Sequence, residues 1–248
     1  MSNAIIFYDI PSTLPHKAWS ANTWKARLAL NYKGIPYNTV WLEYPEIEPL
    51  SKKLGALPTR NKPDGSPLYT LPLIHDLSTG TVLSDSDKIA VYLDATYPDT
   101  PRLMPTGTVG MHFAFEDAVL ALLFPLWRYL NTPTHAILNP ASEAYFRTVQ
   151  EATFGMKVEE MNPIGDVDAR EWQKVKDSFG RMDSWIRANG QGIKYFMGDS
   201  HCYADLWLSA YLVSVKLVLP EKWEEMKLWH DGRWARLSES VAKYETVR

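Results

Sequence analysis

Two apolar runs flank a helical stretch near the start of the chain: Ile5-Ile6-Phe7-Tyr8 and Tyr37-Asn38-Thr39-Val40-Trp41. Short runs of β-branched and aromatic residues are typical of buried strands. From about Asn22 the pattern becomes helical, and Gly34 followed by Pro36 is a helix stop signal. The order strand, helix, strand predicts parallel strands joined by a helical crossover.

The residues that follow complete a small domain. Residues 50–69 are rich in Lys, Pro and Gly, which indicates irregular chain with one short helix near Leu50 to Leu54. Two apolar runs, 71–76 and 81–83, flank Ser78-Thr79-Gly80 and predict a hairpin. A helix is expected from about Ser86 to Ala95. The first domain is therefore predicted to be α/β, with helices packed against a small mixed sheet.

A proline- and glycine-rich segment then marks a domain boundary. Between Tyr97 and Gly110 it carries Pro98, Pro101, Pro105, Gly107 and Gly110. We expect domains at residues 1–98 and 108–248. Helical patterns in the second domain lie at about 111–131, 142–161, 169–188, 202–218 and 233–246, with Ser142 as candidate N-cap and Gly190 as candidate C′ residue. This half is predicted to be an all-α helical bundle.

Composition excludes several classes of function. The formal net charge of −3 provides no field suited to a nucleic acid or an acidic membrane. No apolar run approaches the roughly 18 residues of a membrane span, and residues 1–10 lack the pattern of a secretory signal. The single cysteine, Cys202, permits no intrachain disulfide, so a cytoplasmic protein is expected. With 10 tryptophans and 13 tyrosines, the chain has enough aromatic residues to form an aromatic ligand site as well as the core.

The first candidate functional motif is Leu71-Pro72, where a proline opens an apolar strand. Proline is tolerated there at a sheet edge or a strand start. Either the bond is trans and opens an edge strand, or it is cis and turns the backbone groups of Leu71 outward to hold an extended peptide. Both alternatives fit the sequence.

The second motif is Asp85-Ser86 at the start of the helix predicted near residues 86–95. One interpretation is a simple helix cap, because Ser and Asp are favoured there. A helix N-terminus also binds anions. Ser86 could then bind a carboxylate while Asp85 binds an ammonium group, a combination that suits a γ-glutamyl end.

The third motif, Ser20-Ala21-Asn22-Thr23-Trp24-Lys25-Ala26-Arg27, begins the first helix. Its polar residues have two interpretations. They cap the helix, or they serve catalysis, with the Ser20 hydroxyl donating a hydrogen bond to the sulfur of a bound thiol. A hydrogen bond to the charged form lowers the pKa of the thiol, and the positive end of the helix adds to this effect. A thiol starts near pKa 8.5, and a shift of about two units, ~2.7 kcal/mol, is within reach of one or two charge-assisted hydrogen bonds.

Together and in this order, the three motifs resemble the glutathione transferase family. Lys33-Gly34-Ile35-Pro36-Tyr37 and the helical second half also match, so the resemblance covers essentially the whole chain. It implies a thioredoxin-like first domain with a cis-proline at Pro72 and an all-α second domain. It also implies glutathione as co-substrate, no metal, and a homodimer.

The resemblance further implies roles for residues that hold glutathione. Leu71 would pair through its backbone with the cysteinyl part, next to cis Pro72. Asp85 and Ser86 would hold the γ-glutamyl end.

The catalytic residue implied by the resemblance is Ser20. Asn22 falls where some classes carry a second residue that contacts the thiol. Neither position holds a cysteine, which disfavours disulfide exchange. Tyr8 is a rival, because some classes use a tyrosine near the end of the first strand, although the serine-type motif argues against it.

The subgroup that the chain resembles is the FuA class, fungal transferases related to bacterial lignin β-etherases. The serine-type motif, the long loop at 11–19 and the irregular segment at 59–70 support this. That class is associated with aromatic, wood-derived ligands and with etherase-like or peroxidase-like turnover. The electrophile site is expected on the first helix of the second domain, with two residues of the first domain opposite: Phe115, Leu122, Phe124, Trp127 and Arg128, facing Tyr8 and Trp19.

One segment departs from the family pattern. Cys202-Tyr203-Ala204-Asp205 stands where members often carry Ser or Thr three residues before an Asp. A thiol is a weaker acceptor than a hydroxyl, so the capping box is altered. The departure concerns stability rather than catalysis.

Three functions remain open at this stage. The first is an enzyme in which the glutathione thiolate attacks an electrophilic carbon, a benzylic ether carbon or a hydroperoxide. The second is a carrier of aromatic ligands on the same fold, and the third is a regulatory or scaffolding protein without activity. Ser20 favours the first over the third. An aromatic pocket serves the first and the second equally.

Overall fold

The computed structural model describes residues 5–248, so the first four residues of the predicted first domain lie outside it. The first domain contains strands β1 (Ile5–Asp9), β2 (Tyr37–Trp41), β3 (Arg60–Asn61), β4 (Pro67–Leu68), β5 (Leu73–Asp76) and β6 (Thr81–Ser84), with helices α1 (Ala21–Lys33), α2 (Tyr44–Leu54) and α3 (Ser86–Thr96). The second contains α4 (Val109–Ile137), α5 (Pro140–Phe154), α6 (Gly165–Arg187), α7 (Tyr203–Val218), α8 (Pro220–Met226) and α9 (Trp229–Val241).

The main sheet has the strand order β2-β1-β5-β6. Strands β1 and β2 are parallel, whereas β5 runs antiparallel to β1 and to β6. Within β1, Phe7 lies between Thr39 of β2 and Ile74 of β5. The predicted mixed sheet and the helical second half are confirmed. Helix α1 packs against α7, so one core joins the two halves of the chain.

A buried ion pair fixes α1 to the sheet. Arg27 donates to Asp9 at 2.7 Å, and neither side chain reaches solvent. The same guanidinium donates to the hydroxyls of Tyr37 and Thr39, each at 3.1 Å. It also lies 4.8 Å from the centroid of the Phe7 ring. These contacts therefore fix the middle of α1 against the end of β1 and against β2.

Helix α2 is longer than the short helix expected at Leu50 to Leu54. It begins at Tyr44, where Glu46 accepts from the N–H of Glu43 at 2.8 Å and closes half of a capping box. Pro45 stands in the first turn, where its missing N–H costs no helical hydrogen bond. Pro49 lies inside the helix, and because a proline usually kinks or ends a helix, the sequence did not indicate helix before Leu50.

The prediction of Ser142 as an N-cap is wrong. Helix α5 begins one turn earlier, with Asn139 as N-cap and Pro140 at the first helical position. The hydroxyl of Ser142 instead accepts from the N–H of Tyr44 at 2.9 Å and donates to Glu43. Ser142 thus ties α5 to the start of α2.

Other helix bounds in the second domain also differ from the prediction. Helix α4 continues through Pro125 and Pro133 to Ile137, and α5 ends at Phe154 because Gly155 adopts a left-handed conformation. Helix α6 ends at Arg187, so Gly190 lies beyond its C′ position. The sequence did not predict α8. Regular helical geometry in α9 begins only after Gly232, in agreement with the expected start at 233.

Helix α4 is long and apolar enough to cross a membrane, judged by length and composition alone. The sequence analysis did not identify this helix as long and apolar enough for a membrane span. In the structure, Val119, Leu123 and Leu126 of α4 are fully buried in the core. Helix α4 packs against α6 and α7. The core helices of water-soluble proteins pass the same length and composition test.

The altered capping box at the start of α7 still works through its aspartate. Asp205 accepts from the N–H of Cys202 at 2.9 Å, from its thiol at 3.1 Å and from the N–H of Phe196 at 3.0 Å. Burial, followed by Asp205, raises the pKa of the Cys202 thiol, which leaves it a poor nucleophile.

We predict that Cys202→Ser is neutral or stabilising. A serine hydroxyl in the same place would donate a stronger hydrogen bond to Asp205 than the thiol does. The free energy of unfolding should stay within about 1 kcal/mol of the native value or rise. Thermal unfolding followed by circular dichroism measures this, and a lowered melting temperature would contradict the prediction.

Candidate active site

A cleft of about 300 Å³, here called the interdomain cleft, lies between the two halves of the chain. Its lining comes from α1, β3, the segment before β5, the start of α3, α4 and α7: Asn22, Lys25, Thr59, Arg60, Thr70, Leu71, Pro72, Asp85, Ser86, Glu116, Leu120, Trp127 and Tyr211. A neighbouring cleft of about 550 Å³, the α2–α5 cleft, shares Asn22, Arg60, Thr70 and Leu71 with it. The two clefts form one continuous candidate site.

Ser20 lies at the N-cap position of α1, but its hydroxyl does not cap the helix. The side chain makes no capping hydrogen bond. The backbone carbonyl of Ser20 accepts from the N–H of Trp24 at 2.9 Å. Ser20 lines the α2–α5 cleft and is 7% exposed. Its hydroxyl is therefore available to a ligand at the positive end of α1.

The two other candidate partners of a thiol differ in position. Asn22 is exposed and lines both clefts. Tyr8 is buried at the middle of the sheet, opposite Leu73 of β5, and lines neither cleft. Burial also raises the pKa of the Tyr8 phenol, which makes it a poorer hydrogen-bond donor than an ordinary tyrosine.

The Leu71-Pro72 peptide bond is cis, which decides between the two alternatives that the sequence left open. The carbonyl of Pro72 accepts from the N–H of Asp85 at 3.3 Å, so this segment lies against the start of α3. Within residues 5–248, the backbone N–H and C=O of Leu71 have no protein hydrogen-bond partner. They are free to pair with an extended ligand in the cleft.

Asp85 and Ser86 lie at the start of α3 and line the interdomain cleft. Asp85 is the N-cap and adopts a positive φ of 86°. Its carboxylate accepts from the N–H of Asp87 at 3.1 Å, so the capping interpretation is correct. One carboxylate oxygen lies 3.7 Å from the exposed ammonium of Lys88, and the side chain stays open to the cleft.

The residues expected to hold an electrophile are scattered in the structure. Trp127 lines the interdomain cleft, and Phe124 is 56% exposed with its ring centroid 6.1 Å from that of Trp127. Phe115 faces a separate cavity with Phe196, and Trp19 is buried in a core cluster. Neither Arg128 nor Leu122 lines the two clefts. Among the predicted electrophile residues, only Trp127 lines either cleft.

Comparison with known proteins now decides the family. Sequence models of the glutathione S-transferase N-terminal and C-terminal domains match residues 19–96 and 110–244. The chain belongs to the glutathione S-transferase family. A glutathione S-transferase of Ceriporiopsis subvermispora, CsGST63524, solved in complex with glutathione, is 45% identical with a TM-score of 0.93 over 99% of both chains. GSTFuA2 from Phanerochaete chrysosporium is 42% identical with a TM-score of 0.94 over 100% of both chains.

A curated relative supports the same assignment. The glutathione S-transferase-like protein ustS of Aspergillus flavus is 32% identical over 93% of this chain and 87% of its own length. The predicted family and the resemblance to the FuA class are thus confirmed. This chain is a glutathione transferase with a thioredoxin-like first domain.

The structure adds charged residues to the site of this glutathione transferase that the sequence did not single out. Lys25 is 2% exposed, and its ammonium lies 3.7 Å from Glu116 and 3.9 Å from the centroid of the Trp207 ring. Burial lowers the pKa of Lys25 to about 8, although the carboxylates of Glu116 and Asp87 oppose the shift. Burial, and then contact with Glu116, raises the pKa of Asp87 to about 8.

The structure also adds an aromatic wall. Tyr44 of α2 and Tyr145 of α5 stack with ring centroids 5.3 Å apart and planes 10° from parallel, and both line the α2–α5 cleft with Tyr69. No local motif marks these tyrosines, because the contact joins residues about 100 positions apart. Helical spacing was the one available signal for the α4 residues, since Glu116, Leu120 and Trp127 recur at intervals of four and seven.

Proposed function

We propose that this glutathione transferase uses Ser20 to ionise the thiol of glutathione and transfers the thiolate to aromatic electrophiles. Glutathione would lie in the interdomain cleft and the electrophile in the α2–α5 cleft. The observation that carries the proposal is the Ser20 hydroxyl, which is unused by the helix and lines the α2–α5 cleft, two residues before Asn22, which lines both clefts.

Polar groups of the two clefts support the binding of glutathione in this proposal. The free backbone groups of Leu71 would pair with the cysteinyl part, as in the addition of an extended strand. Ser86 would bind the γ-glutamyl carboxylate at the start of α3, and Asp85 would face the ammonium group. This arrangement would place the thiol beside Ser20 and Asn22.

In the proposed reaction the serine acts as a donor. Its O–H would donate to the thiolate sulfur and lower the pKa of the bound thiol, while the start of α1 supplies a further favourable field. The thiolate then forms a bond to the electrophilic carbon, and the leaving group departs with the electrons of the broken bond. The thiol proton passes to solvent. A benzylic ether or a hydroperoxide would react at carbon or oxygen in the same way.

Aromatic substrates are favoured by the tyrosines of the α2–α5 cleft. A planar ring can stack on Tyr145 or Tyr44, and such pairs prefer offset or edge-to-face geometry. The cleft, at about 550 Å³, has the size of a small-molecule site.

The test is turnover of a set of aromatic electrophiles, a benzylic aryl ether and a hydroperoxide with glutathione, together with calorimetric binding of glutathione. We expect glutathione to bind and at least one aromatic electrophile to turn over. If glutathione does not bind, the proposal fails.

Carriage of aromatic ligands is the second candidate, because the same aromatic cleft could hold a ligand without reaction. Aromatic ligands that bind tightly without glutathione, combined with negligible turnover of every electrophile, would support carriage over catalysis.

We predict that Tyr145→Ala weakens use of aromatic electrophiles. Loss of the stacking surface should raise KM for the electrophile about 3- to 10-fold, whereas KM for glutathione should stay within about twofold. Phe124→Ala is the matched control, because that ring lies on α4 at the Trp127 side. The reverse result, with Phe124→Ala raising KM and Tyr145→Ala leaving it unchanged, would move the electrophile to α4.

We also propose that the protein is cytoplasmic and that its two domains are residues 1–98 and 108–248.

We further propose that the protein is a homodimer. Apolar side chains at the start of α4, among them Met111 and Phe113, are exposed and would suit burial between copies. Light scattering of the purified protein tests the dimer. A mass of one chain at all concentrations would contradict it.

A further inference from the structure

A further cleft lies in the helical domain, apart from the two clefts of the candidate site. This α6–α9 cleft has a volume of about 1070 Å³, and none of its lining residues lines either of the others. One wall is the segment 190–195, which follows α6. The other wall is a face of α9 with Arg233, Arg236, Leu237 and Ser240, spaced by three and four residues. The cleft is therefore built within the second domain alone.

Two of the cations that line this cleft are already neutralised. Arg187, at the end of α6, donates to Asp183 at 2.5 Å and to Asp231 at 3.1 Å. Arg233 donates to the same Asp183, which is buried. These bonds tie α6 to α9 and hold the two walls of the cleft together. The two arginines and the two carboxylates balance each other.

The other two cations of the cleft have no carboxylate partner. Lys194 and Arg236 are exposed and form no ion pair within the described part of the chain. Arg236 donates instead to the backbone carbonyl of Asp231. Glu239 is the one carboxylate among the lining residues, and it is exposed. The cleft therefore has one positive charge in excess.

The segment 190–195 adds backbone donors to this charge. The N–H groups of residues 191–194 have no acceptor within the part of the protein that the structure describes. Along the segment φ is 118° at Gly190 and 81° at Gly192, whereas the residue after each glycine has no positive φ. Alternating signs of φ turn successive N–H groups toward one side, and such concave arrays bind anions. Glycine adopts positive φ without steric cost, so the two glycines favour this shape.

We propose that the α6–α9 cleft binds a small organic molecule through a phosphate or sulfate group. The side chains of Arg236 and Lys194 and the free N–H groups of residues 191–194 would surround the oxygens. Such a group offers three oxygens, which suits this number of donors better than the two oxygens of a carboxylate. The organic part would lie along Tyr195 and Leu237, in a cleft with the volume of a small-molecule site.

The experiment is calorimetric titration with three para-nitrophenyl compounds: the phosphate, the sulfate and the uncharged β-glucoside. We expect the native protein to bind at least one charged ester, and to bind the glucoside at least about tenfold more weakly. Tighter binding of the phosphate would identify phosphate esters as the ligand class, and tighter binding of the sulfate would identify sulfate esters. Saturating glutathione should leave these affinities unchanged, because the α6–α9 cleft shares no residue with the other two.

Three variants test the charges of the cleft. Arg236→Gln should weaken the bound ester about tenfold, because a charge-assisted hydrogen bond is lost. Glu239→Gln should strengthen it about two- to threefold, because the opposing carboxylate is removed. Arg181→Gln is the matched control, since Arg181 is an exposed arginine of α6 that does not line the cleft. This control should leave the affinity unchanged.

Several results would overturn the inference. The native protein must bind one of the charged esters, and it must bind that ester more tightly than the glucoside. A loss in Arg181→Gln as large as that in Arg236→Gln would mean that only the overall charge of the protein matters. Displacement of the ester by glutathione would place it in the clefts of the candidate site instead. Lys194→Gln makes the same test if Arg236→Gln does not fold.

Discussion

Ser20→Ala should lower kcat/KM for aromatic electrophiles about 10- to 100-fold, because one charge-assisted hydrogen bond to the thiolate is lost. The Kd of glutathione should change by less than about twofold, since Leu71, Asp85 and Ser86 would still hold the tripeptide. Steady-state kinetics and calorimetry on the same preparations measure the two quantities. The hydroxyl makes no capping bond to α1, so its removal should leave the fold intact.

The companion variants for this result are Asn22→Ala and Tyr8→Phe. Asn22 lines both clefts and could contact the thiol from the exposed side. If Ser20→Ala leaves turnover unchanged and Asn22→Ala lowers it, the thiolate is stabilised by Asn22. A loss confined to Tyr8→Phe would contradict the geometry, because Tyr8 is buried away from both clefts.

The second large effect concerns stability. Asp9→Asn should destabilise the protein by about 3–5 kcal/mol, because it leaves the charge of Arg27 buried without a counter-charge. The rings of Phe7 and Trp24 near the guanidinium attract the cation but do not replace a carboxylate. For a chain of this size the melting temperature should fall by about 10 °C.

The matched control is an ion pair on the surface. Lys52 donates to Glu48 at 2.6 Å, and both side chains are largely exposed. Lys52→Gln should therefore leave the melting temperature nearly unchanged. A loss of stability in Lys52→Gln as large as that in Asp9→Asn would show that burial does not decide the strength of these pairs.

The sequence was sufficient where neighbouring residues determine local structure. The β1-α1-β2 unit followed from two apolar runs and a Gly34 stop signal, and the structure gives Gly34 the left-handed conformation that such a signal requires. Helix α2 was underestimated because Pro45 and Pro49 usually end helices. Ser142 was misassigned because Pro140 begins α5 and leaves the serine hydroxyl free to bond with α2.

The residues of the candidate site also fall into two groups, those in local sequence motifs and those brought together by contacts between distant elements. Ser20, Leu71-Pro72 and Asp85-Ser86 are short motifs at the ends of elements, and all of them line one of the two clefts. Glu116 and Tyr145 could not be predicted, because their contacts join α4 to α1 and α5 to α2 across long stretches of sequence. Phe115 was predicted to lie in the electrophile site because it is an aromatic residue on α4. In the structure it instead lines another cavity and packs against Phe196.

The central claim is that the Ser20 hydroxyl lowers the pKa of the thiol of bound glutathione. The direct measurement is a pH titration of the ultraviolet absorbance of the thiolate in the native complex and in the Ser20→Ala complex. Free thiol titrates near 8.5, and we expect the bound thiol to titrate about two units lower in the native protein. In Ser20→Ala most of that shift should disappear. The same titration curve in both complexes, with glutathione bound to each, would contradict the account.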